Sequence, residues 1–191
     1  MKHYIIYVPG LGDHYDGIRR FLLRFWRLYG VRTQLVPMQW YDGEPYQAKY
    51  ELIVAAVSAA QEKGYCVSLV GESAGASIAM NAFSRDDRLY RFISLCGVNS
   101  FHSSISPRIL ANSPAFKQSL SHLAASQWVA VRARPDSIIS MSALSDSVVS
   151  VSKNRIKGVK NKRIFSVGHL TSIFLCLSIF SCVVVGEIKK K

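Results

Sequence analysis

Cysteine is scarce in this sequence, and the four that occur are poorly placed for cross-linking or for binding a metal. None forms a C-x-x-C pair, and no histidine spacing is typical of a metal site. A chain of 191 residues can bury a hydrophobic core without disulfides or metals, so we expect a single domain over 1–191. We interpret Cys66, Cys96, Cys176 and Cys182 as buried, reduced thiols of a cytoplasmic protein.

Two further absences disfavour other classes of protein. The N-terminus lacks the charged start, long apolar centre and cleavage site of a secretory signal, because a strand-like run begins at His3. The loop Pro9-Gly10-Leu11-Gly12-Asp13 lacks the third glycine of a dinucleotide fingerprint and the Gly-Lys-Ser/Thr of a P-loop. Its N–H groups can still face an anion, but a nucleotide ligand is disfavoured.

Acidic residues are few as well, with 12 Asp and Glu against 24 Lys and Arg and a formal net charge of +12. Such an excess is typical of proteins that bind nucleic acid or an anionic surface. However, Arg19, Arg20, Arg24 and Arg27 are expected along the polar side of one helix, and the cations of 153–163 have no interleaved aromatic residues. We therefore interpret both groups as solvated faces and expect no nucleic-acid partner.

Strand-like and helix-like segments alternate along the chain. Apolar and β-branched runs predict strands at 3–8, 31–38, 65–70, 91–96, 137–142 and 162–167. Helical periodicity predicts helices at 15–29, 46–63, 74–83 and 114–125. The apolar stripe of the first helix comprises Ile18, Phe21, Leu22, Phe25 and Trp26. This alternation predicts an α/β fold, a three-layer αβα sandwich with a mostly parallel sheet of about six strands.

The segment Gly71-Glu72-Ser73-Ala74-Gly75 lies between the third predicted strand and its helix. It matches the G-x-S-x-G nucleophile elbow, in which a strained turn exposes a serine hydroxyl at the top of a sheet. Glycines flank the serine because a side chain there would collide with the backbone of so tight a bend. The alternative is a small-residue turn that only lets a helix pack closely on a sheet.

Four residues that follow strands are expected to meet at one edge of the sheet: Leu11, Ser73, Asp146 and His169. A serine nucleophile needs a base, and the base needs an orienting carboxylate. His169 is the preferred base because it follows the last strand, with His14 as the alternative.

Asp146 is the preferred carboxylate, since Asp136 precedes its strand and falls at the opposite edge. The alternative role for Asp146 is a solvated turn or a helix cap. Glu72 lies inside the elbow, but its side chain is expected to point away from the line of attack, as a supporting or surface group.

The chain order Ser73, Asp146, His169 resembles that of the α/β-hydrolase superfamily. Over nearly its whole length the sequence is similar to compact members without a large lid, such as small bacterial lipases and the serine hydrolases related to retinoblastoma-binding protein 9. In that family the oxyanion hole is made by two backbone N–H groups, whose positions match Leu11 and Ala74 here, with Gly12 as an alternative. The chain departs from the family where Pro9-Gly10 replaces the frequent His-Gly.

The resemblance implies a serine esterase that hydrolyses a small carboxylic ester through an acyl-enzyme, without metal or organic cofactor. We expect a small, open acyl site that favours short chains. The substrate-binding residues are Gly12, Trp40, Phe101 and Phe116. A serine-rich insertion at about 98–135 carries the two phenylalanines and is expected to form a wall or short cap.

Three other functions stay open at this point. A thioesterase or acyltransferase would use the same triad, and a non-catalytic binding protein would keep only the fold. A basic protein that binds a membrane or nucleic acid would show a steep salt dependence of binding.

The uncharged stretch 170–186 lies at the lower edge of membrane-spanning length and precedes three lysines. The fold implied by the resemblance needs a helix directly after His169, packed on the sheet. We therefore expect one buried helix at 170–186 rather than a membrane anchor.

Overall fold

Six strands form the central sheet. The structure is a computed structural model, and it describes residues 1–100 and 105–190. The strands are β1 (His3–Val8), β2 (Val31–Leu35), β3 (Cys66–Glu72), β4 (Phe92–Leu95), β5 (Ile138–Ser145) and β6 (Lys160–Val167). Their order across the sheet is β2-β1-β3-β4-β5-β6, and every neighbouring pair is parallel. The predicted parallel sheet of about six strands is confirmed.

Helices cover both faces of the sheet. One layer contains α2 (Tyr46–Glu62), α3 (Gly75–Phe83), α4 (Pro107–Asn112), α5 (Pro114–Ala133) and α6 (Val151–Asn154). The other contains α1 (Asp16–Arg24) with a 3₁₀ helix at Phe25–Tyr29, then α7 (His169–Leu177) and α8 (Ser181–Lys189). Each layer encloses its own apolar core, and the successive residues Ile5 and Ile6 of β1 point into different ones. The three-layer αβα prediction is confirmed.

The first helix exposes three members of its predicted apolar stripe. Ile18, Phe21 and Phe25 are 52%, 55% and 48% exposed, so that part of the prediction is wrong. Trp26 of the same stripe is buried as predicted and Leu22 is partly buried, but the helix also buries Arg19, which was predicted on a solvated face. The reason is a buried carboxylate beneath the helix, described below with the site.

The segment predicted as a cap-like insertion, at about 98–135, is mostly the crossover between β4 and β5. Parallel strands need such a connection, and α5 supplies it by packing against α3 in the same helical layer. The helix extends to Ala133, past the predicted end at 125, because its last turns also lie on the core. Among the described residues of this segment, the cavity beside Ser73 is bordered by Val98, Ile105, Ser106 and Ile109 before α5 and by Phe116 within it.

Two helices, α7 and α8, replace the single helix predicted at 170–186. The chain breaks at 178–180, where the hydroxyls of Ser178 and Ser181 donate to carbonyl oxygens one turn earlier. Buried side chains such as Cys176 and Val184 pack both helices against the sheet. Within the described ranges no single helix is long and apolar enough to cross a membrane. The two pass that test only as a pair bent by 66°.

The four cysteines differ in exposure, and all are free thiols. Cys96 and Cys176 are buried as predicted, and burial raises the pKa of Cys176 to about 12 and that of Cys96 well above its ordinary value. The prediction of burial is wrong for Cys182, which is exposed on α8, and only partly right for Cys66, which is half-buried.

Candidate active site

Ser73 lies in the turn between β3 and α3. Its φ of 49° is in the left-handed region, as the strained elbow requires, and its N–H donates to the carbonyl oxygen of Leu95 at 3.0 Å. The flanking glycines leave no space for a side chain. A Cβ at Gly71 would lie 2.5 Å from the Cα of Ala76, and one at Gly75 would overlap the carbonyl oxygen of Val8. The segment thus has the strand–turn–helix geometry expected from its sequence.

A chain of two hydrogen bonds connects Ser73, His169 and Asp146. The Ser73 Oγ lies 2.9 Å from His169 Nε2, and His169 Nδ1 lies 2.7 Å from Asp146 Oδ2. The histidine is 8% exposed, so it is largely shielded from water. The two partners come from the loops after β5 and β6, which are tied together by the Gly168 N–H donating to the Ser145 carbonyl at 2.8 Å. The candidate base and carboxylate therefore meet the serine at the carboxyl edge of the sheet.

The second oxygen of Asp146 is held by the backbone. Its Oδ1 accepts hydrogen bonds from the N–H groups of Val148 at 2.8 Å and Val149 at 2.9 Å. Burial opposes ionisation of this carboxyl, but the hydrogen bond to His169 and those from the backbone outweigh it and lower the pKa of Asp146. The carboxyl is therefore ionised at neutral pH and oriented toward the imidazole. Asp136 precedes β5, away from the histidine.

Two backbone N–H groups beside Ser73 are free to bind an anion. Leu11 and Ala74 line the same cavity as Ser73, and within the described residues neither N–H donates a hydrogen bond. The loop that carries Leu11 closely approaches the elbow, since a Cβ at Gly10 would lie 2.6 Å from the Cβ of Ser73. Stabilisation of an oxyanion on a carbonyl attacked by a serine requires donors of this kind, so both remain candidates for that role.

A buried ion pair lies beneath both the elbow and this loop. Glu72 accepts from Arg19 Nη2 at 2.5 Å through one carboxylate oxygen and from Arg19 Nε at 2.9 Å through the other. The Arg19 and Glu72 side chains are 0% and 1% exposed. Of the two roles expected for Glu72, a supporting group agrees with this burial and a surface group does not. The expectation of a solvated Arg19 is wrong.

The remaining contacts of the pair explain its placement. The Gly10 N–H donates to Glu72 at 3.3 Å, and the Tyr7 hydroxyl donates to the same carboxylate at 2.5 Å. Arg19 in turn donates to the carbonyl oxygen of Gly12 at 2.8 Å. Burial, and then the Glu72 charge, raises the pKa of Tyr7 well above its ordinary value, so its hydroxyl keeps its proton. The ion pair thus holds the loop that carries Leu11 on both sides of that residue, at Gly10 and at Gly12.

The cavity beside Ser73 has a volume of about 260 Å³ and is mainly apolar. Its apolar wall is formed by Leu11, Val98, Ile105, Ile109, Phe116, Val148 and Val149. Of the residues predicted to contact substrate, Phe116 lies in this wall. Phe101 lies outside the described residues.

Trp40 and Gly12 are not among the described residues that line the cavity. Trp40 is 1% exposed, and its indole N–H donates to the Pro9 carbonyl at 3.1 Å while its ring meets that of Phe116 edge to face. Because it is covered, it supports the loop and does not face a ligand. Gly12, at φ 102°, accepts from Arg19 through its carbonyl. The burial of Trp40 does not agree with the predicted substrate contact, whereas contact of Gly12 with a substrate stays a prediction.

The fold is shared with solved hydrolases, although the sequence is distant from them. An α/β hydrolase from Penicillium is 12% identical with a TM-score of 0.72, over 99% of this chain and 90% of that one. A meta-cleavage product hydrolase from Pseudomonas fluorescens is 15% identical with a TM-score of 0.64, over 97% and 90%. A monoacylglycerol lipase from Paleococcus ferrophilus is 10% identical with a TM-score of 0.63, over 97% and 93%.

No protein-family model matches the chain, and no curated protein sequence is significantly similar to it. The structural similarity nevertheless extends over almost the full length of both partners in each pair. The chain therefore has the α/β-hydrolase fold.

Proposed function

We propose that this protein is a serine hydrolase that cleaves carboxylic esters with short acyl chains. The observation that carries the proposal is the continuous hydrogen-bonded chain from Ser73 Oγ through His169 to Asp146. A serine hydroxyl alone is a poor nucleophile, and this arrangement supplies both the base and its orienting carboxylate.

In the first step Ser73 Oγ attacks the ester carbonyl while His169 Nε2 takes the hydroxyl proton. Asp146 holds the imidazole in the required tautomer and stabilises its positive charge. The oxyanion accepts hydrogen bonds from the N–H groups of Leu11 and Ala74, each worth about 3 kcal/mol of the barrier. Collapse of this intermediate breaks the bond to the alcohol, which leaves with the proton from His169.

In the second step His169 takes a proton from water, which attacks the acyl-enzyme. The same N–H groups hold the second oxyanion, and collapse releases the acid as Ser73 regains its proton. The chain's own residues thus account for every proton that moves.

The cavity supports the choice of substrate class. Its wall is largely apolar, which suits an acyl group, and its volume of about 260 Å³ lies just below the range of pockets for drug-sized ligands. Short acyl esters should therefore be cleaved more efficiently than long ones. A steady rise in kcat/KM toward long chains would contradict this preference.

The nucleophile is tested by labelling with a fluorophosphonate probe before and after Ser73→Ala. The matched control is Ser106→Ala, which removes another serine hydroxyl of the same cavity. We expect labelling of the wild type and of the control, and none of the Ser73 variant. Undiminished labelling of Ser73→Ala would disprove the proposal.

A further inference from the structure

The outward side of the first helix carries an apolar row and a basic row side by side. The apolar row is Ile18, Phe21, Phe25 and Leu28, and the basic row is Arg20, Arg24 and Arg27. We call these seven residues the outer helix face. All seven are exposed, whereas Arg19, Leu23 and Trp26 of the same segment are buried, so the outer helix face is turned away from the sheet.

The apolar members of this face are unusually exposed. Leu28 is 76% exposed and Ile18, Phe21 and Phe25 are about half exposed, while the Phe21 and Phe25 rings lie 5.2 Å apart, edge to face. Single exposed apolar residues are common, but a contiguous group of them is typical of a surface that binds a protein, a membrane or a ligand.

The charges beside the apolar row indicate what binds there. Among the described residues none of Arg20, Arg24 and Arg27 forms an ion pair with a carboxylate. The acidic residue nearest in sequence, Asp16, is buried and already paired with Arg19. The face therefore combines apolar side chains that can insert among lipids with positive charges that no carboxylate neutralises. Amphipathic helices that lie on anionic membranes have the same combination.

A second copy of the chain fits this face less well. In a two-fold dimer the same patch would meet itself, which would bring the arginines of both copies into one interface without an acid to pair with them. An anionic surface instead matches the charge of the outer helix face and that of the whole chain, +12.

We propose that the outer helix face binds the surface of an anionic lipid bilayer. Phe21, Phe25 and their apolar neighbours insert among the headgroups, and the three arginines contact lipid phosphate and carboxylate groups. Binding involves no part of the Ser73 site, so it is independent of the proposed hydrolase function.

The test is sedimentation of the full chain with vesicles of phosphatidylcholine alone and of phosphatidylcholine mixed with phosphatidylserine. We expect binding to the mixed vesicles only, weakened by high salt. Each of Arg20→Gln and Arg24→Gln should weaken it about fivefold. The double variant Phe21→Ser/Phe25→Ser should weaken it about tenfold or more, since binding scales with buried apolar area.

A matched control lies on α5, where Trp128 is 62% exposed and Arg132 stacks on its ring. Trp128→Ser/Arg132→Gln removes a similar aromatic and basic pair from another part of the surface and should leave vesicle binding unchanged. Ser73→Ala should also bind as the wild type does, which separates this proposal from the hydrolase function.

Three results would overturn the proposal. They are a wild type that does not sediment with the mixed vesicles, a control variant that loses binding as strongly as the phenylalanine variant, and a dimer in solution that the phenylalanine variant dissociates. All substitutions on the outer helix face are at exposed positions, so unchanged thermal unfolding should accompany each of them.

Discussion

The first and third strands each lead through a glycine-rich loop into a helix, yet the two units bury opposite kinds of residue. After β3, all nine residues of α3 are buried and small or apolar. After β1, α1 buries Arg19 and leaves Phe21 exposed. Apolar periodicity alone therefore predicts that a helix forms, but the side it buries depends on what lies beneath. Under α1 that is Glu72, and a buried carboxylate needs a cation.

The largest effect expected on the elbow side is a loss of chemistry without loss of the fold. Asp146→Asn should lower kcat/KM for a short ester about 10⁴-fold, because the imidazole loses its orienting acceptor. Asp136→Asn, before β5 and away from His169, is the matched control and should be neutral. If Asp136→Asn lowered kcat/KM and Asp146→Asn did not, the assignment of Asp146 as the orienting carboxylate would be wrong.

Next in size is an effect on the first-helix side, where charge supports the fold. Arg19→Met should reduce the free energy of unfolding by about 3–5 kcal/mol, because it leaves the Glu72 carboxylate buried without its cation. Arg20→Met, one residue away and exposed, should change it by no more than about 0.5 kcal/mol. Urea denaturation measures both.

A double variant sharpens that result. Arg19→Met combined with Glu72→Gln should recover much of the lost stability, because no unpaired charge is then buried. If the double variant were as unstable as the sum of the single variants, the damage would come from packing rather than from the unpaired charge.

A somewhat smaller contrast lies within α1 itself. Leu23 is 2% exposed and Phe21 is 55% exposed. Leu23→Ala should therefore lower the free energy of unfolding by about 2–5 kcal/mol, whereas Phe21→Ala should change it by no more than about 0.5 kcal/mol. Thermal and urea unfolding measure the two differences. Equal losses would mean that the apolar row predicted from the sequence is buried after all.

The smallest effect concerns pH. The pKa of Asp146 is lowered in the folded state from a reference value of 3.8. Its contribution to stability is therefore complete above that reference value and is lost as pH falls through the lower, folded-state pKa. The difference in unfolding free energy between the wild type and Asp146→Asn should shrink between neutral pH and strong acid. A difference that grows on acidification would contradict the direction of the pKa shift.

The parts of the molecule that local sterics determine were predictable from sequence. Gly71 is required by contacts within one turn, and apolar runs mark buried parallel strands wherever they occur. The convergence of Asp146 and His169 on Ser73 follows from a general rule about strand ends. These features need no knowledge of distant partners.

What could not be predicted depends on pairs that are far apart in the sequence. Arg19 and Glu72 are separated by 53 positions, and Trp40 contacts the Pro9 carbonyl across 31. One signal did exist, because a glutamate at the end of an apolar strand needs a buried cation. The sequence offers four arginines on the first predicted helix, 15–29, without showing which one faces inward.

The close approach of Gly10 to Ser73 has a consequence for how the protein folds. Their backbones can come this near only after β1 has docked beside β3, and His169 reaches the serine across 96 positions of chain. Closing so long a loop carries an entropic cost, which only the assembled sheet offsets. We therefore expect the proposed reactivity of Ser73 toward a covalent probe to arise at the end of folding, so the rate at which it appears during refolding should report completion of the whole sheet.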